Sequence, residues 1–199
     1  MRSKSLKLKS ISPQKQDRNS MRKRQMIRVL KWVIYIVLMM ITFVIMGTPG
    51  LMLVNGWKPL LLIPLTVSVA MFEGELAGGI YAIVSGIFWG TVSDTFLGFH
   101  ALFLYILCVA CGLMIKFYFK SHVLSALMLS GVSTVIFCLA DFFFNYAMWG
   151  YVGREALFIK QYIPIMVYTI LVSPVFYFLV KLVHTKVRAK QADEIFEEA

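Results

Sequence analysis

Apolar residues run in long stretches along this chain, broken by short clusters of Gly, Pro and charge. A helix that crosses a bilayer needs about 20 mostly apolar residues. The first stretch of that kind lies at 27–47, with Arg28 and Lys31 able to snorkel from its start. Gly47-Thr48-Pro49-Gly50 ends it, because Pro and paired Gly do not continue a helix. The run is long, and no small-residue cleavage motif follows, so it reads as a span and not as a cleaved signal. A second, short run occupies 59–72, where Pro64 predicts a kink and Glu73-Gly74-Glu75 the end. Further runs lie at 76–92, 101–119, 123–148 and 163–183. Asp94 and Leu97-Gly98-Phe99 separate the third from the fourth, and Asp141 is embedded in the fifth. The predicted fold is an all-α integral membrane protein of about six transmembrane helices.

Composition agrees with this pattern. Hydrophobic residues make up 59% of the 199 and charged residues 15%, against roughly 45–50% and about 25% in soluble domains. Charge placement adds direction. Of 20 Lys and Arg residues, 11 lie at or before Lys31, with Asp17 the lone acid among them. With the N-terminus in the cytoplasm, 17 basic residues fall inside and 3 (Lys58, Arg154, Lys160) outside. The positive-inside rule therefore favours an even number of spans with both termini cytoplasmic. The chain divides into a basic tail at 1–26, expected to be disordered, a six-helix domain at 27–183 and a C-terminal tail at 184–199. The basic tail calls for anionic lipid as its partner and not nucleic acid, since it is tethered beside a bilayer. Trp32, Trp57, Trp149 and Tyr151 suit an interfacial belt, while Trp89 falls deeper.

Little in the sequence points to catalysis. His100, His122 and His184 stand at predicted span ends, and no Ser-His-Asp order, H-E-x-x-H or phosphate-cradling Gly loop is present. Cys108-Val-Ala-Cys111 has no second pair and no His at metal spacing, so Cys108, Cys111 and Cys138 read as small residues at helix contacts. No enzyme, cofactor or metal site is expected. Asp94 and Asp141 stand out, because a carboxylate within the bilayer costs about 2.5–3.5 kcal/mol and so usually faces the bundle interior or water. Asp94 suits either a helix end or a polar contact, and Asp141 a structural or partner contact. The third run has a regular spacing: Gly74, Gly78, Ala82, Gly86 and Gly90 recur every four residues, and Asp94 is the next step. Such a stripe lets another backbone approach closely in lipid. Gly78, Ala82, Gly86, Gly90, Asp94 and Asp141 are thus the candidate partner-binding residues, and a helix of the same chain is the other possible occupant. With an outside partner, Leu at position 86 should insert normally and lose only the association.

The order of these features resembles the rod shape-determining protein MreD family. Lys58-Pro59 opens the second span, Phe72-Glu73-Gly74 follows, then the Gly-rich stretch from Gly78 to Asp94, then Leu97-Gly98-Phe99-His100-Ala101-Leu102. Asp141 in the fifth span and Ile163-Pro164 opening the sixth fit as well, so the resemblance covers 58–183. It implies a non-enzymatic scaffold in the bacterial inner membrane that contributes to rod shape and sidewall peptidoglycan synthesis. The partners it implies are the bitopic MreC and, less directly, actin-like MreB, the RodA glycosyltransferase and a class B penicillin-binding protein. It also implies a fold similar to the substrate-binding subunits of energy-coupling-factor vitamin transporters. That similarity makes a small-molecule transport subunit the alternative function. Against the alternative, the first span is bulky from Trp32 to Met46 and offers no small-residue patch for docking a transporter partner.

Overall fold

The computed structural model describes residues 13–48, 50, 57–93, 98–118, 122–150 and 154–198. Among them the chain forms seven α-helices: α1 (Pro13–Gly47), α2 (Leu62–Glu73), α3 (Glu75–Gly90), α4 (Phe99–Phe117), α5 (Val123–Phe142), α6 (Arg154–Leu157) and α7 (Ile163–Glu198). Two π-helical turns, Phe143–Ala147 and Phe158–Tyr162, extend α5 and lead into α7. Four helical stretches are long and apolar enough to cross a membrane: Gln25–Gly47, Phe99–Phe117, Val123–Ala147 and Glu155–Ala189. At 12 and 16 residues, α2 and α3 reach only about 18 and 24 Å, short of the roughly 30 Å hydrocarbon core.

The short α2 forms the centre of the bundle. Every residue from Leu61 to Met71 is buried, and α1, α3, α4, α5 and α7 all pack against it. A helix that is apolar all round is stable only when neighbours or lipid cover every side, and here neighbours do. Its polar residues do not need outside partners. Thr66 Oγ1 donates to the Leu62 carbonyl at 2.8 Å and Ser68 Oγ to that of Pro64 at 2.7 Å. Pro64 does not kink α2. It lies in the first turn, where a missing N–H breaks no helical bond.

Between α2 and α3 the chain reverses at a single residue, Gly74, whose φ of +90° an L side chain rarely adopts. The helix that follows packs most extensively against α4. Close approach explains why. A Cβ at Gly78 would stand 2.4 Å from Ala70 Cα of α2, and one at Gly86 2.3 Å from Ala101 Cα of α4. Ala82 is fully buried between them, and Gly90 is buried too. At Gly78 and Gly86 the small-residue stripe is therefore filled by this chain's own α2 and α4, while a Cβ at Gly90 would meet only Gly98 N, at 3.8 Å. Of the two expected occupants this favours a helix of the same chain over an outside partner at Gly78, Ala82 and Gly86, because that stretch of backbone already touches a neighbour. The contact also has an α4 side that the sequence spacing did not reveal: a Cβ at Gly112 would meet Glu75 Cα at 2.7 Å.

The first and last helices flank this centre. The helix α1 begins at Pro13, and residues 1–12 of the basic tail lie outside the described residues. It is rich in Gln, Lys, Arg and Met, which lose little side-chain freedom in a helix. Tyr35, Met39 and Thr42 bury one face of α1, while Val29, Val33, Ile36, Val37, Ile41 and Val44 are exposed on the other. Exposed apolar side chains also line α3, α4, α5 and α7, as a lipid-facing surface requires. Within α7, Pro174 removes one helical N–H. The Ile170 carbonyl, four residues back, receives the Ser173 hydroxyl at 2.8 Å instead. A neighbouring hydroxyl thereby satisfies the acceptor that Pro leaves open.

Candidate functional site

Polar side chains gather at two ends of the bundle. At one end, Glu73 closes α2 and ties three helices together. Its carboxylate accepts from Lys31 Nζ of α1 at 2.5 Å and from Tyr35 Oη at 2.9 Å, and it lies 3.1 Å from His184 Nδ1 of α7. Its side chain is only 9% exposed, so each contact replaces water that the carboxylate has lost. Nearby, Lys116 at the end of α4 donates to Glu75 at 2.5 Å on the surface. The Tyr81 hydroxyl donates to the Tyr35 carbonyl at 2.9 Å, which carries the tie on into α3. Both oxygens of Glu73 have partners within the chain, so it acts as a clasp.

The other end holds a half-open cleft of about 230 Å³ between α3, α4, α5 and the start of α7, with Leu60 beside it. Trp89 of α3 stacks on Phe137 of α5 with ring centres 5.0 Å apart, and His100 of α4 lies 4.5 Å from Trp89. Together these rings form one apolar wall. His100 Nδ1 is 3.4 Å from Ser93 Oγ. Asp141 provides the acid of the cleft, with Tyr162 and Gln161 lining it from the π-helical turn before α7. One Asp141 oxygen accepts from Asn145 Nδ2 at 2.8 Å, and the other from the Tyr162 hydroxyl at 2.7 Å. Both partners are placed to donate to the carboxylate, and lone pairs on it stay available. Asp141 has no ion pair among the described residues.

Of the candidate residues, Asp141 lies in this cleft, and Gly78, Ala82, Gly86 and Gly90 lie in the α2–α3–α4 contact. Asp94 falls outside the described residues. The cleft brings in groups that sequence spacing did not group together: Trp89, His100, Phe137, Gln161 and Tyr162. One signal was present in Trp89, too deep in its run for an interfacial belt. Another was Asn145, one turn beyond Asp141. Tyr162 gave none, since it reaches Asp141 from 21 residues away in the chain.

The cysteines are all buried and free. Cys111 Sγ meets Ser133 Oγ at 3.3 Å across α4 and α5, a helix contact, and Cys138 lines the cleft. No group of three or more His, Cys, Asp or Glu side chains converges among the described residues. The chain matches no protein-family model, no curated protein and no solved structure.

Proposed function

We propose that this protein is a non-enzymatic scaffold of the bacterial cell-elongation machinery, in the manner of MreD. The observation that carries the reading is the order of features from Lys58 to Val183: a Pro before a short second helix, a Gly-rich third helix, a Gly turn, an acid in the fifth helix and Ile163-Pro164 opening the last. The arrangement of the helices supports it. Lys31, Lys116 and His184 gather at the end where Glu73 and Glu75 lie, as they would if the helices cross six times with both termini in the cytoplasm. The short α2 and α3 are then the second and third crossings, the bundle resembles the vitamin-transporter subunits, and the protein sits in the inner membrane. In this role it binds MreC and, through the complex, MreB, RodA and a class B penicillin-binding protein, with anionic lipid at the basic tail.

One observation favours the other reading, a substrate-binding subunit of a small-molecule transporter: the cleft beside Asp141. Purification of the tagged chain from its own membranes separates the two. The scaffold reading expects a bitopic MreC-type protein and a cell-wall synthase to be retained. Retention of a transporter ATPase and its membrane partner, with neither of those proteins, would overturn it.

A further inference from the structure

We propose that the cleft between α3, α4 and α5 binds an organic ammonium group, with Asp141 as its counter-ion and Trp89, His100 and Phe137 as its apolar wall. The inference goes beyond the scaffold reading and does not depend on it.

The charge balance comes first. The clasp at the other end pairs Glu73 with Lys31, so this chain supplies a cation to the acid that ties its helices together there. Asp141 receives two neutral donors and no cation among the described residues. Neutral donors orient a carboxylate without cancelling its charge. An anionic ligand would be repelled, and a neutral donor would gain less from that charge than a cation would.

The surroundings choose among cations. A metal ion of the hard kind takes six or more oxygen ligands, and among the described residues no cluster of His, Cys, Asp or Glu stands here to supply them. Trp89, His100 and Phe137 pack on one another and are almost wholly buried, so they give the cleft an apolar side that suits the carbon atoms of an alkylated nitrogen. Asp141 beside them supplies the opposite charge. Tyr162 and Gln161 add a hydroxyl and an amide at the rim, where a ligand's polar tail would emerge.

Size limits the ligand. Drug-sized molecules occupy pockets of about 300 Å³ and upward. This cleft is smaller, at about 230 Å³. It fits a headgroup such as ethanolamine or choline. Such a group arrives either as a free amine or on a lipid whose chains stay in the bilayer, and the chemistry in the cleft is the same for both.

The test uses the full chain purified in a sugar detergent, with choline and ethanolamine as probes and 3,3-dimethylbutanol as the uncharged counterpart of choline. Intrinsic Trp fluorescence and thermal unfolding are followed during titration. The expected result is saturable binding of at least one ammonium probe and at least tenfold weaker binding of the alcohol. Asp141→Asn, which keeps the side-chain shape, should weaken the ammonium probe at least tenfold. The source is decided in nanodiscs. Phosphatidylethanolamine discs should weaken the free probes relative to phosphatidylglycerol discs if a lipid headgroup is the occupant, and equal affinity assigns the cleft to a free amine. Choline and the alcohol binding alike would overturn the proposal, as would no saturable ammonium binding or an unaffected folded Asp141→Asn protein. The comparison of probes on the unaltered chain stands even where that variant does not fold.

Discussion

Single residues in this protein are constrained by what a low-dielectric interior does to polar atoms. The Lys31–Glu73 pair shows the effect most directly, since its side chains are only 15% and 9% exposed. Removing one member of a buried pair strands the other. Lys31→Met keeps most of the aliphatic stem and removes the charge, while Tyr35 and His184 stay on Glu73. A loss on the order of 2 kcal/mol is expected, below the 3–5 kcal/mol of fully buried pairs. Adding Glu73→Gln should restore part of it, as coupling within one network predicts. Thermal unfolding of the two variants in detergent checks both. Ser85 presents the reverse case. Its hydroxyl is fully buried in α3 and has no hydrogen-bond partner among the described residues. An unmade bond there carries the desolvation cost of the group with no return. Ser85→Ala should therefore stabilise the protein by about 1 kcal/mol, and an unchanged or lower unfolding temperature would contradict this.

At the scale of elements, the absence of side chains decides where helices meet. In lipid, burial of apolar surface does not drive helices together, so close packing must. The four-residue spacing on α3 marked the contact in the sequence, because Gly and Ala at that interval leave a continuous strip of backbone. What it could not say is whose backbone fills the strip. The structure answers with Ala70 of α2 and Ala101 of α4. The consequence for Gly86→Leu is reversed from the one expected of a partner groove. The new side chain meets the Ala101 backbone, which cannot yield as a side-chain tip can. A cost of about 3 kcal/mol or more follows, at or beyond the upper end of ordinary overpacking. Folded protein should be lost from the membrane, as detergent extraction followed by size-exclusion chromatography would report. Ile87→Leu is the control: Ile87 is exposed on the outer face of α3, and its variant should behave like the parent. A Gly86→Leu protein recovered at parental levels would show that α3 and α4 do not pack as described.

For the molecule as a whole, the question is how the helices sit across the bilayer. The last helix, α7, has 36 residues and is about 54 Å long, far longer than a hydrocarbon core of roughly 30 Å. Part of it must leave the membrane, and its end beyond His184 carries Lys186, Arg188 and Lys190. Under the proposed six-crossing arrangement that end lies on the same side as the N-terminal tail, as the charge asymmetry favours. On a background with Cys108, Cys111 and Cys138 replaced, Glu155→Cys should react with an impermeant thiol reagent in intact cells. Ser10→Cys and Lys190→Cys should react only after the membrane is opened. Labelling of Lys190→Cys in intact cells would place the two termini on opposite sides and end the six-crossing arrangement.

Class and approximate helix positions were legible in the sequence, since both follow from local patterns. Length and apolarity of a run set where a spanning helix can form, and the starts of α4, α5 and α7 lie within a few residues of the runs that predicted them. Gly and Pro marked the breaks, because they act on the backbone where they stand. The roles of the elements were not legible. A 12-residue apolar helix such as α2 reads the same whether it faces lipid or its own neighbours, and only packing put it at the centre. The occupant of the glycine stripe is in the same position, because small residues specify a close approach and not the identity of what approaches. The cleft lies furthest from the sequence. Asp141 drew notice as an acid in an apolar run, but its meaning depends on Trp89, His100, Phe137 and Tyr162. These residues come from four separate segments of the chain, and only the tertiary fold brings them around one carboxylate.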